Sequence, residues 1–291
     1  MRKKIIFLPL FLFIFSGTCF CMDWKVLHET ADKTALAPAE EEAAKDPGSL
    51  DKQYLLGLVY LNLHRDAEAG RVFERMLQKK PGSIEAEWGK AEVLRRRHDF
   101  PAAEKILKKI ISSDPGFSPA SISLAYIKYF QMDFNGSVRL ALKVIQRGEG
   151  ATDLSNYARA YAMYAGAKGM LAHYGGVFSK AIDGLAVKKN LEKAQRLQPD
   201  SPAVLFGLGS FYLLAPALGG GNPSLAEGYL RRAVEADPLF ADAYVRLAQM
   251  ELVKGNRKAY EFYLDQAFKL DPGNELALDV KNRSCKFICV E

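Results

Sequence analysis

Residues 55–82 read LLGLVYLNLHRDAEAGRVFERMLQKKPG. Small residues at Gly57 and Ala69 let two helices approach one another, and Leu56, Tyr60 and Phe73 fill the space between them. Thirty-four residues on, Ala91, Leu94, Ala103, Leu107 and Ile110 occupy the positions of Gly57, Tyr60, Ala69, Phe73 and Met76. Pro47, Pro81 and Pro115 keep the same interval of 34, as do Pro238 and Pro272. A proline, lacking an amide proton, ends one helix pair and opens the next. The turn Asp99-Phe100-Pro101-Ala102-Ala103 returns 34 residues later as Asp133-Phe134-Asn135-Gly136-Ser137, marking a third unit whose end blurs at Gly148 to Gly150.

This residue set and period resemble the tetratricopeptide repeat family. The resemblance implies an all-α fold, a right-handed α-solenoid of stacked helix pairs that binds proteins and performs no chemistry itself. On this reading residues 22–49 are an N-terminal capping helix and 50–149 hold three units. Residues 150–201 form an extended, degenerate helix pair with a break at Gly175-Gly176, and 202–274 form two further units. Residues 275–291 supply a closing helix and tail. In the extended pair, Ala158, Ala162, Ala165 and Gly169 recur at helical spacing for close packing, beside a stripe of Tyr157, Tyr161 and Tyr164 expected to border a groove.

The ends carry different information. Arg2-Lys3-Lys4 precedes an apolar run from Ile5 to Phe15, too short for a spanning helix and suited to a secretory signal covering residues 1–21. Cleavage after Cys21 and lipidation at Cys19 are the alternatives, and either an uncleaved signal or a lipid anchor would supply the only membrane contact. The expected location is the periplasm or cell envelope. The segment holds three of the 40 basic residues and none of the 34 acidic ones, leaving 37 against 34, or +3. So mild a charge gives no reason to expect nucleic acid as a partner. After processing, Cys285 and Cys289 remain, as a small disulfide loop or as two free thiols.

One later unit departs from the period. Gly209 and Ala226 lie five residues further apart than a standard unit requires, with Pro216, Leu218, Gly219, Gly220 and Gly221 in the insertion and Asn222 as the expected N-cap of the next helix. Three glycines before a helix suggest a phosphate loop, but no Gly-Lys-Ser/Thr follows. Residues 207–236, with Leu208-Gly209-Ser210-Phe211-Tyr212 and Pro216-Ala217-Leu218-Gly219-Gly220, also resemble a segment of the T-component of tripartite ATP-independent periplasmic transporters. That resemblance implies an accessory subunit paired with a solute-binding protein, with the inserted loop as its site.

In tetratricopeptide arrays the first helix of each pair lines the concave groove. Transferred to this chain, that rule selects Tyr54, Leu58 and Leu61, then Trp88, Glu92, Arg95 and Arg96, then Ile122, Tyr126, Tyr129 and Phe130. Such a groove is aromatic and partly charged, suited to an extended peptide or a helix. Where some family members clamp a terminal carboxylate with lysines and asparagines, this chain has Tyr54, Leu58, Asn62, Trp88, Glu92 and Arg96, a set that does not support that function. No nucleophile or paired-acid motif accompanies the four histidines, and no cofactor or metal is expected. His64 and His98 stand one repeat apart, on equivalent turns, and repeat duplication accounts for the interval.

Overall fold

Polar caps punctuate the chain at the repeat interval. Ser49 and Ser83 accept from the amides of Lys52 and Ala86, and Asp99, Asp133 and Asn256 accept from Ala102, Gly136 and Ala259, each opening a helix. Between the helices of a pair the backbone turns through the left-handed region at His64, His98, Met132 and Gly255, with φ of 56°, 63°, 62° and 74°. The Arg65 amide donates to the Tyr60 carbonyl across the first turn, and Asp99 and Asp133 repeat this with Leu94 and Lys128.

The computed structural model describes residues 23–288 and 290, apart from the side chains at 177, 178, 181 and 182. The expected signal at 1–21 lies outside them. The described residues form fifteen α-helices: α1 (Trp24–Ala31), α2 (Leu36–Lys45), α3 (Leu50–Asn62), α4 (Asp66–Lys79), α5 (Ile84–Arg96), α6 (Phe100–Ser113), α7 (Ser118–Phe130) and α8 (Phe134–Arg147), then α9 (Leu154–Tyr174), α10 (Val177–Leu197), α11 (Pro202–Leu214), α12 (Pro223–Ala236), α13 (Ala241–Val253), α14 (Arg257–Leu270) and α15 (Glu275–Lys281). They stack as consecutive antiparallel pairs, the architecture of a tetratricopeptide solenoid.

Two glycines show how the pairs fit. A Cβ built on Gly57 of α3 or on Gly89 of α5 would stand 2.5 Å from the ring of Phe73, which projects from α4 and is fully buried between them. Leu107, Ile110 and Phe117 continue this core into the next pairs. The chain before Ser49 holds two helices rather than one cap. Asp23 opens α1 by accepting from the Lys25 amide, and Trp24 and His28 pack on Phe117, Tyr54 and Trp88.

The insertion between α11 and α12 is an ordered turn. Ala217–Gly219 form a single 3-10 turn, Gly220 adopts a φ of 97°, and the Asn222 amide donates to Tyr212. Asn222 caps α12 through the Leu225 amide, with Pro223 at its first turn.

The array curls until its first pairs meet its last. His64 Nε2 lies 2.9 Å from Asp237 Oδ2, and His98 lies 2.8 Å from Asp271 and 2.6 Å from Glu275. Asp237 and Asp271 are themselves one repeat apart, so equivalent turns on one side meet equivalent turns on the other. On the N-terminal side, Ser155 of α9 donates to Asp32, just beyond α1, at 2.6 Å.

Candidate partner-binding groove

The curl lines a half-open cavity of about 1870 Å³. Its inner wall is built from α5, α7, α9, α11 and α13, the alternate helices of successive pairs, and part of its rim from α10 and the inserted loop.

On α5, Glu92 accepts from Arg95 at 2.6 and 3.0 Å, from Arg96 at 3.3 Å and from Ser123 of α7 at 2.8 Å. Trp88 Nε1 donates to the same Ser123 hydroxyl at 3.1 Å. Burial alone would raise the Glu92 carboxyl, but the Arg95 charge and its hydrogen bonds outweigh burial and, with Arg96, hold the group well below the usual carboxylate range. Arg96 also donates to the Leu61 carbonyl and to Asp66, joining α5 to the pair before it. The Arg95 guanidinium sits 4.2 Å from the Tyr126 ring centre. This wall therefore presents a neutralised ion cluster and an aromatic face.

Further round, α13 contributes Asp242 and Arg246. Burial pushes the Asp242 carboxyl up to about 6, although Asn274 donates to it at 2.6 Å. Arg246 donates to the carbonyls of Phe287 and Ile288 at 2.9 and 3.1 Å, so the C-terminal tail enters the cavity. Arg246 is buried, and among the described residues its Nε has no hydrogen-bond partner. At the edge, the hydrogen bonds that the His98 imidazole donates to Asp271 and Glu275 hold it as a cation, its pKa pushed up to about 10.

Trp88, Glu92, Arg95, Arg96, Tyr126, Tyr129 and Phe130 all line the cavity. Trp88 is only 5 % exposed, so it serves the packing as much as the surface. Tyr54 and Leu58 do not line it. Both are buried: α1 packs on α3, where His28 Nε2 meets the Tyr54 hydroxyl at 2.9 Å, and Leu58 lies in the same core. Of the inserted loop, Pro216, Leu218 and Gly219 reach the cavity, whereas Gly220, Gly221 and Asn222 serve the turn and the cap. On α9 the tyrosine stripe stands off the cavity. Ala158 is fully buried off the cavity, and Arg159, Ala162, Met163, Ala165 and Gly169 line it instead. Arg159, Met163, Phe211, Asp242 and Arg246 were not selected by the sequence. Extending the first-helix rule past residue 150 would have reached them, but the long pair and the insertion break the register that carries it. Cys285 is in a disulfide, and Cys289 lies outside the described residues. Among the described residues no cluster of three or more His, Cys, Asp or Glu side chains is placed to hold a metal ion, and no helix is long and apolar enough to cross a membrane.

Residues 216–275 match the family model of the tetratricopeptide repeat. Among solved structures, a tetratricopeptide repeat protein from Parabacteroides merdae is 12 % identical, with a TM-score of 0.52 over 89 % of this chain and 97 % of that one. The Cut9–Hcn1 hetero-tetramer of the APC/C gives 17 % identity and a TM-score of 0.55 over 89 % of this chain and 47 % of that one. The Pseudomonas aeruginosa pilF protein is 17 % identical, with a TM-score of 0.47 over 80 % of this chain and 96 % of that one. No curated protein matches the sequence significantly. The repeat signature, the helix pairs and the two likenesses with TM-scores of 0.52 and 0.55 agree on a tetratricopeptide-type fold.

Proposed function

We propose that this chain is a non-catalytic interaction protein of the cell envelope, and that its half-open groove receives a segment of a protein partner. The observation that carries the reading is the continuous inner wall. It offers aromatic and apolar surface around ion pairs that already satisfy one another, which suits a protein segment better than a charged substrate. Export rests on Arg2-Lys3-Lys4 and the apolar run after it, and mass spectrometry of the native protein tests it: an intact Met1 on a cytoplasmic pool refutes export.

The groove is tested by partner retention from envelope fractions. Tyr126 and Met163 both line the cavity and are only partly buried, so Tyr126→Ala with Met163→Ala should weaken retention at least about 10-fold without unfolding the chain. Unchanged retention by the folded double variant refutes the site.

A second reading, a T-component-like accessory of a solute transporter, draws support from Pro216 and Leu218, which bring the inserted loop to the cavity rim with Leu218 fully exposed. It expects the reverse pattern: loss of partner on shortening Ala215 to Gly221, recovery of a solute-binding protein as that partner, and tolerance of the groove changes.

A further inference from the structure

The tail is held in the cavity in the way a bound peptide would be. Three successive carbonyls are each received by a side chain: Lys286 by the Tyr174 hydroxyl at 2.9 Å, Phe287 by Arg246 at 2.9 Å, and Ile288 by Arg246 at 3.1 Å and Gln249 at 3.4 Å. The amides of Lys286 and Phe287 both donate to the Asp279 carboxylate at 2.9 Å. Backbone groups are common to every peptide, so these contacts hold a segment without reading its sequence. The reading comes from one side chain. Phe287 is 3 % exposed, stacked on Tyr129 with ring centres 5.6 Å apart and tilted against Phe130 at 5.0 Å.

Two features mark this segment as an occupant that another peptide could replace. Cys285 and Ile288 take φ of 52° and 62°, a region that L side chains rarely adopt, so the tether holds the tail in a conformation a free peptide need not take. The site also retains unused capacity, since among the described residues the Arg246 Nε proton meets no acceptor.

We propose that the pocket formed by Tyr129, Phe130 and Arg246 is a recognition site for an aromatic residue on a peptide segment of the protein partner, and that Phe287 is its resident intramolecular competitor. The proposal rests on the groove reading above and names the partner's chemistry within it. A tethered competitor acts at an effective concentration on the order of millimolar, so a free peptide should bind the unaltered chain poorly.

The test uses a dye-labelled synthetic peptide of residues 283–288 carrying Cys285→Ser, with fluorescence anisotropy read on the full chain and on full-length Phe287→Ala. The variant should bind at least about 10-fold more tightly than the unaltered chain, and a peptide carrying Phe287→Ala should bind neither. Equal binding by the folded variant and the unaltered chain overturns the proposal, as does equal binding of the two peptides. Should Phe287→Ala fail to fold, Phe287→Leu keeps apolar bulk and must show the same release. If neither folds, Phe287 is a core residue rather than an occupant, and the proposal falls. Partner retention by the Tyr126 and Met163 variant is measured separately, so a failure here leaves the groove reading standing or falling on its own result.

Discussion

Replacing His98 by alanine should loosen the closure of the array, with an effect that fades as pH rises. The imidazole lies between Asp271 and Glu275 with its side chain 28 % exposed. Its pKa rises from an ordinary 6.5 to about 10, which at 1.36 kcal/mol per unit sets a ceiling of about 5 kcal/mol. Solvent reaches all three side chains, and screening brings the expected loss to about 2 kcal/mol near neutral pH. Because the folded pKa is raised, the stabilisation is fully present below the unfolded value of 6.5, as long as the two carboxylates stay ionised, and is lost as pH climbs through 10. Alanine at a φ of 63° keeps the backbone strain and so reads the imidazole alone. His98→Gly should recover about 0.5–1 kcal/mol of strain and still remain less stable than the unaltered chain. Urea unfolding followed by the fluorescence of Trp24 and Trp88, at pH 6, 8 and 10, gives the three differences. A loss that is constant or growing across that range would show that His98 does not bridge the ends as a cation.

Gly57→Leu should cost about 3 kcal/mol, the upper part of the range for inserted bulk, because its Cβ alone would stand 2.5 Å from the Phe73 ring; thermal melts check this. His64→Ala should change stability by no more than about 1 kcal/mol, since its contact with Asp237 is about one-third exposed. Asp242→Asn should stabilise the chain by about 1–3 kcal/mol above pH 7 and by nothing below pH 4. The Asp242 carboxyl pays a burial cost only when ionised, and its folded pKa of about 6 lies above the ordinary 3.8. Urea titrations at pH 4 and pH 8 separate that outcome from a simple packing change, which would be equal at both.

The helix pairs were legible because their cause is local. The proline interval, the caps at Ser49, Ser83, Asp99 and Asp133, and the glycine opposite Phe73 all act within or between neighbouring units. The α5 and α7 residues that line the cavity were legible for the same reason, since the register was still intact there. Tyr54 and Leu58 are buried away from the cavity, and for Tyr54 the reason escaped the repeat pattern because the helix packed on it, α1, lies outside any repeat. The wall formed by α9, α11 and α13 was missed because two 21-residue helices and an inserted turn interrupt the period. The closure had no sequence signal at all, as its partners stand 173 and 177 residues apart.

That closure also explains why histidine occupies two successive turns. The left-handed position between paired helices is met at least cost by glycine, and the last unit uses Gly255 there. His64 and His98 forgo that saving, and each aims its ring from the turn at a carboxylate on the opposite limb of the curl. Met132, at the equivalent turn of the third unit, has no such carboxylate and is 38 % exposed. The two histidine turns therefore carry an interaction that the other two do not, and it joins the first pairs to the last. Because the same curl makes the groove walls face one another, loosening His98 should widen the cavity rather than merely destabilise a surface turn. The pH titration of His98→Ala would then be accompanied by a matching change in partner retention, and a stability change without one would mean that closure and binding are independent.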